Sequence, residues 1–162
     1  MAVDRAFVGR AFPPSEPYRV GREKVREFAL AVGEGASVCH DLDAARAAGH
    51  PDLVAPPTFG VVFTMPLMEA LLRDPAFGWD YARMVHGDQA FTLHRPVHAG
   101  DELVAVLHVD DLRSRAGSLM LTLRCEVTDT AGAPVLTSTS LMVTAEAPDV
   151  PAAEPAASGV PA

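Results

Sequence analysis

The stretch Glu34-Gly35-Ala36-Ser37-Val38-Cys39-His40 gathers a carboxylate, a thiol and an imidazole in seven residues, with Asp41 directly behind. An imidazole titrates near neutral pH and suits proton abstraction, and a carboxylate in the right surroundings serves as the matching acid. The competing reading is a solvated glutamate in a glycine-flanked loop and a surface histidine beside Asp41. Cys39 as a nucleophile lacks a histidine–acid pair at any established spacing, so it reads as a small buried thiol. His86, His94 and His98 stand eight and four residues apart. A metal site would need them to converge with an acidic or thiolate ligand on one face. His86 and His94 share a face of one strand, but histidines on a polar face account for the pattern, and no metal is expected. Gly33-x-Gly35 follows a helix rather than a strand, so it is no phosphate-binding loop, and no cofactor is expected either.

Two helices would position that stretch. Residues 21–32 set Val25, Phe28, Ala29 and Val32 on one stripe at helical spacing, with Arg22, Glu23, Lys24, Arg26 and Glu27 mostly on the other side. Gly33 ends the run as a helix-closing glycine does. The second helix follows the Ala55-Pro56-Pro57-Thr58 start signal and is expected over residues 59–74. It is apolar nearly all round, as a helix enclosed by its own domain reads. Pro66 costs about 3 kcal/mol in an unrelieved helix interior, so a kink or break is expected there, with Thr64 capping the restart.

After Tyr81 the pattern changes to a period of two. In residues 118–128, Leu119, Leu121, Leu123, Cys125 and Val127 alternate with Met120, Thr122, Arg124, Glu126 and Thr128, one face buried and the other wetter. Residues 135–143 repeat the alternation after an Asp129-Thr130-Ala131-Gly132 turn. Upstream, Val85, Gly87, Gln89, Phe91 and Leu93 form one face of a strand that stops at Pro96, and His98-Ala99-Gly100-Asp101 turns the chain into residues 103–109. These short connections predict antiparallel neighbours joined as a meander. Two helices followed by at least four antiparallel strands predict an α+β fold in which the sheet curls around the apolar helix, a single hot-dog unit. The sheet edge such a unit leaves open predicts a dimer whose two sheets join edge to edge.

The chain has 162 residues, 49% hydrophobic and 21% charged, with a formal charge of −8. This composition excludes disordered, collagen-like and disulfide-rich classes. The acidic balance argues against nucleic acid as the main ligand and against an anionic membrane surface. The longest apolar run, residues 60–72, contains Pro66 and Glu69 and is shorter than the ~20 residues a bilayer requires. No signal-peptide core is visible near the start, and Cys39 and Cys125 fit a reducing compartment, so a cytoplasmic protein is expected. One domain over residues 1–144 and a disordered Pro- and Ala-rich tail over residues 145–162 complete the layout.

The segment HGDQAFTLHRPVHAGDEL, residues 86–103, resembles the aromatic-x-x-x-Arg-Pro-Val-x-x-Gly-Asp-x-Leu hairpin of MaoC-like hydratases. LVAPPTFGVVF, residues 53–63, resembles the segment that leads into their central helix. YRVGREKVREFALAVG, residues 18–33, is similar to the start of small single-hot-dog proteins related to the A, or accessory, subunit of actinobacterial (3R)-hydroxyacyl-carrier-protein dehydratase. The resemblance covers residues 18–144 and implies dehydration of a 3-hydroxyacyl thioester to a trans-2-enoyl thioester in fatty-acid elongation. An acyl-carrier-protein or CoA thioester is the implied ligand. Catalytically complete relatives carry Asp-x-Asn-Pro-x-His after the first helix. Here Glu34 stands at the Asp position, Ala36 and Ser37 replace Asn-Pro, Cys39 stands at the His position, and His40 comes one residue late. Glu34 and His40 are therefore the catalytic candidates, and Pro57, Thr58, Phe59 and Phe63 the substrate-binding ones. The resemblance implies a subunit that gives acyl-chain binding and half the dimer to a His-bearing hot-dog partner. Alternatives are a self-sufficient homodimeric enoyl-thioester hydratase, a non-catalytic acyl-thioester binding module and, through Glu69 on the central helix, a thioesterase.

Overall fold

The structure, a computed structural model, describes residues 3–146. Helix α1 (Arg22–Ala31) turns Val25 and Ala29 into the core, and Gly33 follows it at φ 72°. Val32, expected on the buried stripe, is 51% exposed because the helix ends at Ala31 and Val32 forms its cap. A short helix α2 (Leu42–Ala47), absent from the sequence reading, starts where the Asp41 carboxylate accepts from the N–H groups of Asp43 (2.7 Å) and Ala44 (3.1 Å). Helix α3 (Val61–Leu72) begins two residues later than expected, because residues 57–60 form a turn ahead of it.

Pro66 does not break α3. The helix continues through it, and Pro66 lies on the exposed side of the helix. Thr64 caps no restart: its hydroxyl donates to the Gly60 carbonyl at 2.9 Å, one turn back. None of the described helices is long and apolar enough to cross a membrane.

The strands are β1 (Tyr18–Arg19), β2 (Val85–Leu93), β3 (Glu102–Arg115), β4 (Ser118–Asp129) and β5 (Pro134–Ala145). They form one antiparallel sheet in the order β1-β3-β4-β5-β2. Strands β3 to β5 are the expected meander, but β2 is not part of it: β2 pairs with β5 at the far edge. The connection over residues 94–101 crosses three strand spacings, about 14 Å, which eight extended residues span with ease. A short loop therefore did not oblige β2 and β3 to be neighbours. The β2–β5 register also shifts between His86 and Asp88, setting His86 opposite Met142 and Gln89 opposite Ser140. This bulge at Gly87 moves His86 to the face that carries Gln89 and Phe91, so His86 and His94 do not share a face, contrary to the unbroken alternation assumed from sequence.

The sheet curls around α3, giving the α+β hot-dog arrangement. Phe59 in the turn before α3 and Phe63 in its first half pack with Val20, Leu53, Leu103 and Leu136, and the second half packs Met68, Leu71 and Leu72 with Phe77, Leu107, Leu121 and Met142. Each fully buried Leu or Phe in these clusters contributes about 1.5–3 kcal/mol. Strand β5 runs to Ala145, one residue past the expected domain boundary, and the Glu146 N–H donates to the Gly117 carbonyl at 2.9 Å. The expected tail beyond that point lies outside the described residues.

Candidate functional site

Three segments meet at the start of α3. The loop after α1 is tied down where the Glu34 N–H donates to the Ala29 carbonyl (2.8 Å). The segment before α3 joins that loop through Val54 N–H to Val38 carbonyl (3.0 Å), and joins the β2–β3 connection through Ala55 N–H to Val97 carbonyl (2.8 Å). Within that connection Arg95 reaches Asp101 with both terminal nitrogens (2.7 and 3.2 Å), and the same carboxylate accepts from the His98 N–H at 2.9 Å. The Arg-Pro-Val-His-Ala-Gly-Asp stretch is thus a turn closed by an ion pair, with Gly100 at φ 94°. A hydrogen bond of 3.1 Å between His50 Nδ1 and His98 Nε2 adds a side-chain tie between the same walls.

These segments enclose a cavity of about 250 Å³, open on one side. Its lining is apolar apart from Glu34 and Cys39, with Val38, Val54, Pro57, Gly60, Leu93 and Val97 among the residues that form it. Glu34 folds back on its own loop, one carboxylate oxygen accepting from the Ala36 N–H at 2.9 Å. Cys39 is buried, and that burial, with the Glu34 charge as a smaller contribution, pushes its thiol pKa up. It is therefore a protonated thiol at neutral pH, neither base nor nucleophile. His40 is held elsewhere: its Nε2 lies 2.7 Å from the Glu34 carbonyl oxygen and its own carbonyl accepts from Arg26 Nε at 2.9 Å, and it does not line the cavity.

The substrate-binding candidates divide. Pro57 lines the cavity, and Thr58 sits exposed in the turn before α3, its carbonyl accepting from the Val61 N–H. Phe59 is fully buried against Phe28 in an edge-to-face contact (5.4 Å), and Phe63 stacks on Tyr18 (5.1 Å), so both rings serve the core. Gly60, which the sequence reading passed over, is buried in the cavity wall, and its N–H has no acceptor among the described residues. It precedes a helix of 12 residues with no capping side chain, so that N–H stands at the positive end of the helix dipole. A glycine at the start of an apolar helix was the available signal.

The remaining candidates scatter. His86 is exposed, His94 bonds Thr137 Oγ1 at 3.1 Å, and His98 bonds His50. Among the described residues no group of three or more His, Cys, Asp or Glu side chains is arranged to hold a metal. Glu69 lies nine residues, about 13 Å, along α3 from Gly60. There it accepts from the Tyr81 hydroxyl and from Arg73 Nη2, bonds that hold its carboxyl below the usual range. Chemically the cavity offers an apolar berth, one available N–H, one carboxylate and no imidazole.

Residues 6–138 match the family described as "FAS1-like, dehydratase domain region". A protein of Saccharopolyspora erythraea named "UPF0336 protein" is 49% identical over 152 residues, 92% of this chain and 97% of that one. Among solved structures, the C-terminally truncated HadBC (3R-hydroxyacyl-ACP dehydratase) complex from Mycobacterium tuberculosis superposes with a TM-score of 0.76 at 29% identity, over 85% of this chain and 96% of that one. A MaoC-like dehydratase superposes with a TM-score of 0.80 at 34% identity, over 88% of this chain and 43% of that longer one. With two thirds of its length and more aligned to such relatives, and the curled sheet around α3 in common, the chain belongs to the FAS1-like dehydratase-region family of hot-dog proteins.

Proposed function

We propose that this chain is a subunit of a (3R)-3-hydroxyacyl-thioester dehydratase of fatty-acid elongation, working in the cytoplasm. It supplies acyl-chain binding and half of a dimer to a hot-dog partner that brings the catalytic histidine, and its ligand is an acyl-carrier-protein or CoA thioester. The observation that carries this reading is the content of the cavity. Removing the α-proton of a thioester needs a base matched to neutral pH, the developing enolate needs hydrogen-bond donors, and the departing hydroxyl needs a proton. The Gly60 N–H at the α3 dipole is placed for a thioester oxygen, and Glu34 is the carboxylate within the lining. The base is missing, since Cys39 is a protonated thiol and His40 is bonded to the Glu34 carbonyl. On this reading a second chain brings it.

The free edge of β2 supports such pairing. One side of β2 is bonded to β5, the other pairs with no strand among the described residues, and Val85 (61%) and Leu93 (42%) are exposed along β2. An unpaired edge of nine residues with exposed Val85 and Leu93 at its ends invites a second sheet. The likeness to the HadBC complex, a (3R)-hydroxyacyl-ACP dehydratase, supports the same partner class. The test is hydration of crotonyl thioester by the purified chain, with and without the hot-dog partner that copurifies from the native cell. Negligible turnover alone and restored turnover in the mixture bear the proposal out. Strong turnover by the chain alone, lost in Glu34→Ala or His40→Ala, identifies a self-sufficient homodimer instead. Thioester binding with no turnover in either setting identifies a binding module.

A further inference from the structure

We propose that Phe91, backed by Leu136, is the stop that limits the acyl chain in this cavity to about eight carbons, a proposal that rests on the thioester reading above. Of Gly60, Phe91 and Leu136 only Gly60 lines the cavity, next to Leu93, and Phe91 and Leu136 stand directly behind it. A Cβ built on it would stand 3.1 Å from Phe91 Cε1 and 3.1 and 3.3 Å from the two Leu136 methyls. Carbon atoms in ordinary contact sit at about 3.5–4.0 Å, so the first turn of α3 and the β2–β5 pair close on each other with no methyl-sized gap. A chain entering past Leu93 cannot continue between them toward the interior.

What lies behind Phe91 closes the route a second time. The β2–β5 register sets Leu93 opposite Leu136, Phe91 opposite Ser138 and Gln89 opposite Ser140. Ser138 and Ser140 are fully buried. Gln89 Nε2 donates to Ser138 Oγ (2.8 Å) and to the Thr139 carbonyl (3.2 Å), and the Ser140 hydroxyl donates to Gln89 Oε1 (2.6 Å). Methylenes pushed past Phe91 would meet this hydrogen-bonded cluster and leave its buried groups unpaired, a penalty with no apolar gain to offset it. The cavity volume fits the same limit. A cavity of ~150 Å³ admits benzene, so one of about 250 Å³ holds about ten heavy atoms. The thioester sulfur and oxygen use two of them, leaving about eight carbons.

The test uses the full chain and S-acyl pantetheine thioesters of four, eight and twelve carbons, the arm shared by CoA and carrier protein, titrated by calorimetry. Each methylene that finds apolar cover tightens binding by about fourfold. The wild-type chain is expected to gain at that rate up to about eight carbons and to gain nothing from eight to twelve. In Phe91→Ala the added methylenes take the volume the ring leaves, in front of the Gln89–Ser138–Ser140 cluster, so the twelve-carbon thioester is expected to bind at least tenfold tighter than the eight-carbon one, with the four-carbon affinity unchanged; Phe91→Leu, a milder change, shifts the plateau in the same direction if Phe91→Ala does not fold. Affinity that still climbs from eight to twelve carbons in the wild type overturns the stop, as does an unchanged length profile in the folded variants. Failure of all three thioesters to bind overturns the thioester reading itself, a result distinct from either of those.

Discussion

Replacing Gly60 by alanine puts one methyl group where Phe91 and Leu136 already press against the backbone. Gly60 has ordinary helical angles (φ −51°, ψ −27°), so alanine meets no backbone strain there. Restricting the unfolded chain would even stabilise by about 0.4–1 kcal/mol. Against that stands overpacking, typically about 1–3 kcal/mol. The three contacts at 3.1–3.3 Å place this site toward the upper part of that range, because Leu136 is 1% exposed and offers both methyls, so it cannot step aside without moving its own neighbours. The net loss is about 1–2 kcal/mol, which for a domain of this size lowers Tm by about 3–6 °C. Calorimetry of Gly60→Ala reads the loss directly. The same substitution in a Phe91→Ala background should cost less by at least about 0.5 kcal/mol, since one of the three close contacts is gone and contacting residues couple at that scale. An alanine variant as stable as the wild type, or an equal loss in both backgrounds, would refute the close approach on which the cavity wall depends.

Arg95→Ala removes both bonds to Asp101 from a half-buried turn and should cost about 1–2 kcal/mol in urea unfolding; an unchanged midpoint would contradict the role of that pair in holding Pro96 and Val97 against the cavity. Burial holds the His98 imidazole below its ordinary value near 6.5, against the pull of Asp101. The unfolded chain then binds the proton more readily, so the His98 contribution is complete above pH 6.5 and is lost as pH falls below it toward the folded value. His98→Gln should flatten that part of the stability profile, and an identical slope in the variant would remove His98 as its source. Burial pushes the thiols up, that of Cys125 to about 12, so both cysteines should react with a disulfide reagent at pH 8 only on unfolding. Rapid labelling of Cys39 in the native chain would contradict its burial.

Period and punctuation made much of the fold legible. Val25 and Ala29 announced α1, the Pro-Pro-Thr run announced α3, and the alternation from Leu119 to Val127 announced β4, because in each case a single buried face imposes its spacing on the chain. Strand order was not legible: the eight-residue connection between β2 and β3 is compatible with adjacency and with crossing the end of the sheet, and only packing around α3 decides. The bulge at Gly87 is one extra residue with no signature besides the glycine, yet it turns His86 to the other face. Helix α2 has only six residues and no apolar stripe, so its sole markers were the Asp41 cap and the glycine at position 49. At the site, Glu34, Cys39 and Pro57 were reachable from sequence. Phe59 and Phe63 were not separable there from channel-lining rings, since core and channel ask for the same side chains. Gly60 offers the cavity only a backbone N–H, which side-chain pattern does not display.

The central claim is that this chain holds the thioester and a partner brings the base. Hydration of crotonyl-CoA, followed by loss of the enoyl-thioester absorbance, tests it most directly when measured for the chain alone and after adding an equimolar hot-dog chain that carries Asp-x-Asn-Pro-x-His. A general base contributes about 10²–10⁴-fold, so the mixture should exceed the isolated chain by at least about a hundredfold. Equal rates from the isolated chain and the mixture would contradict it.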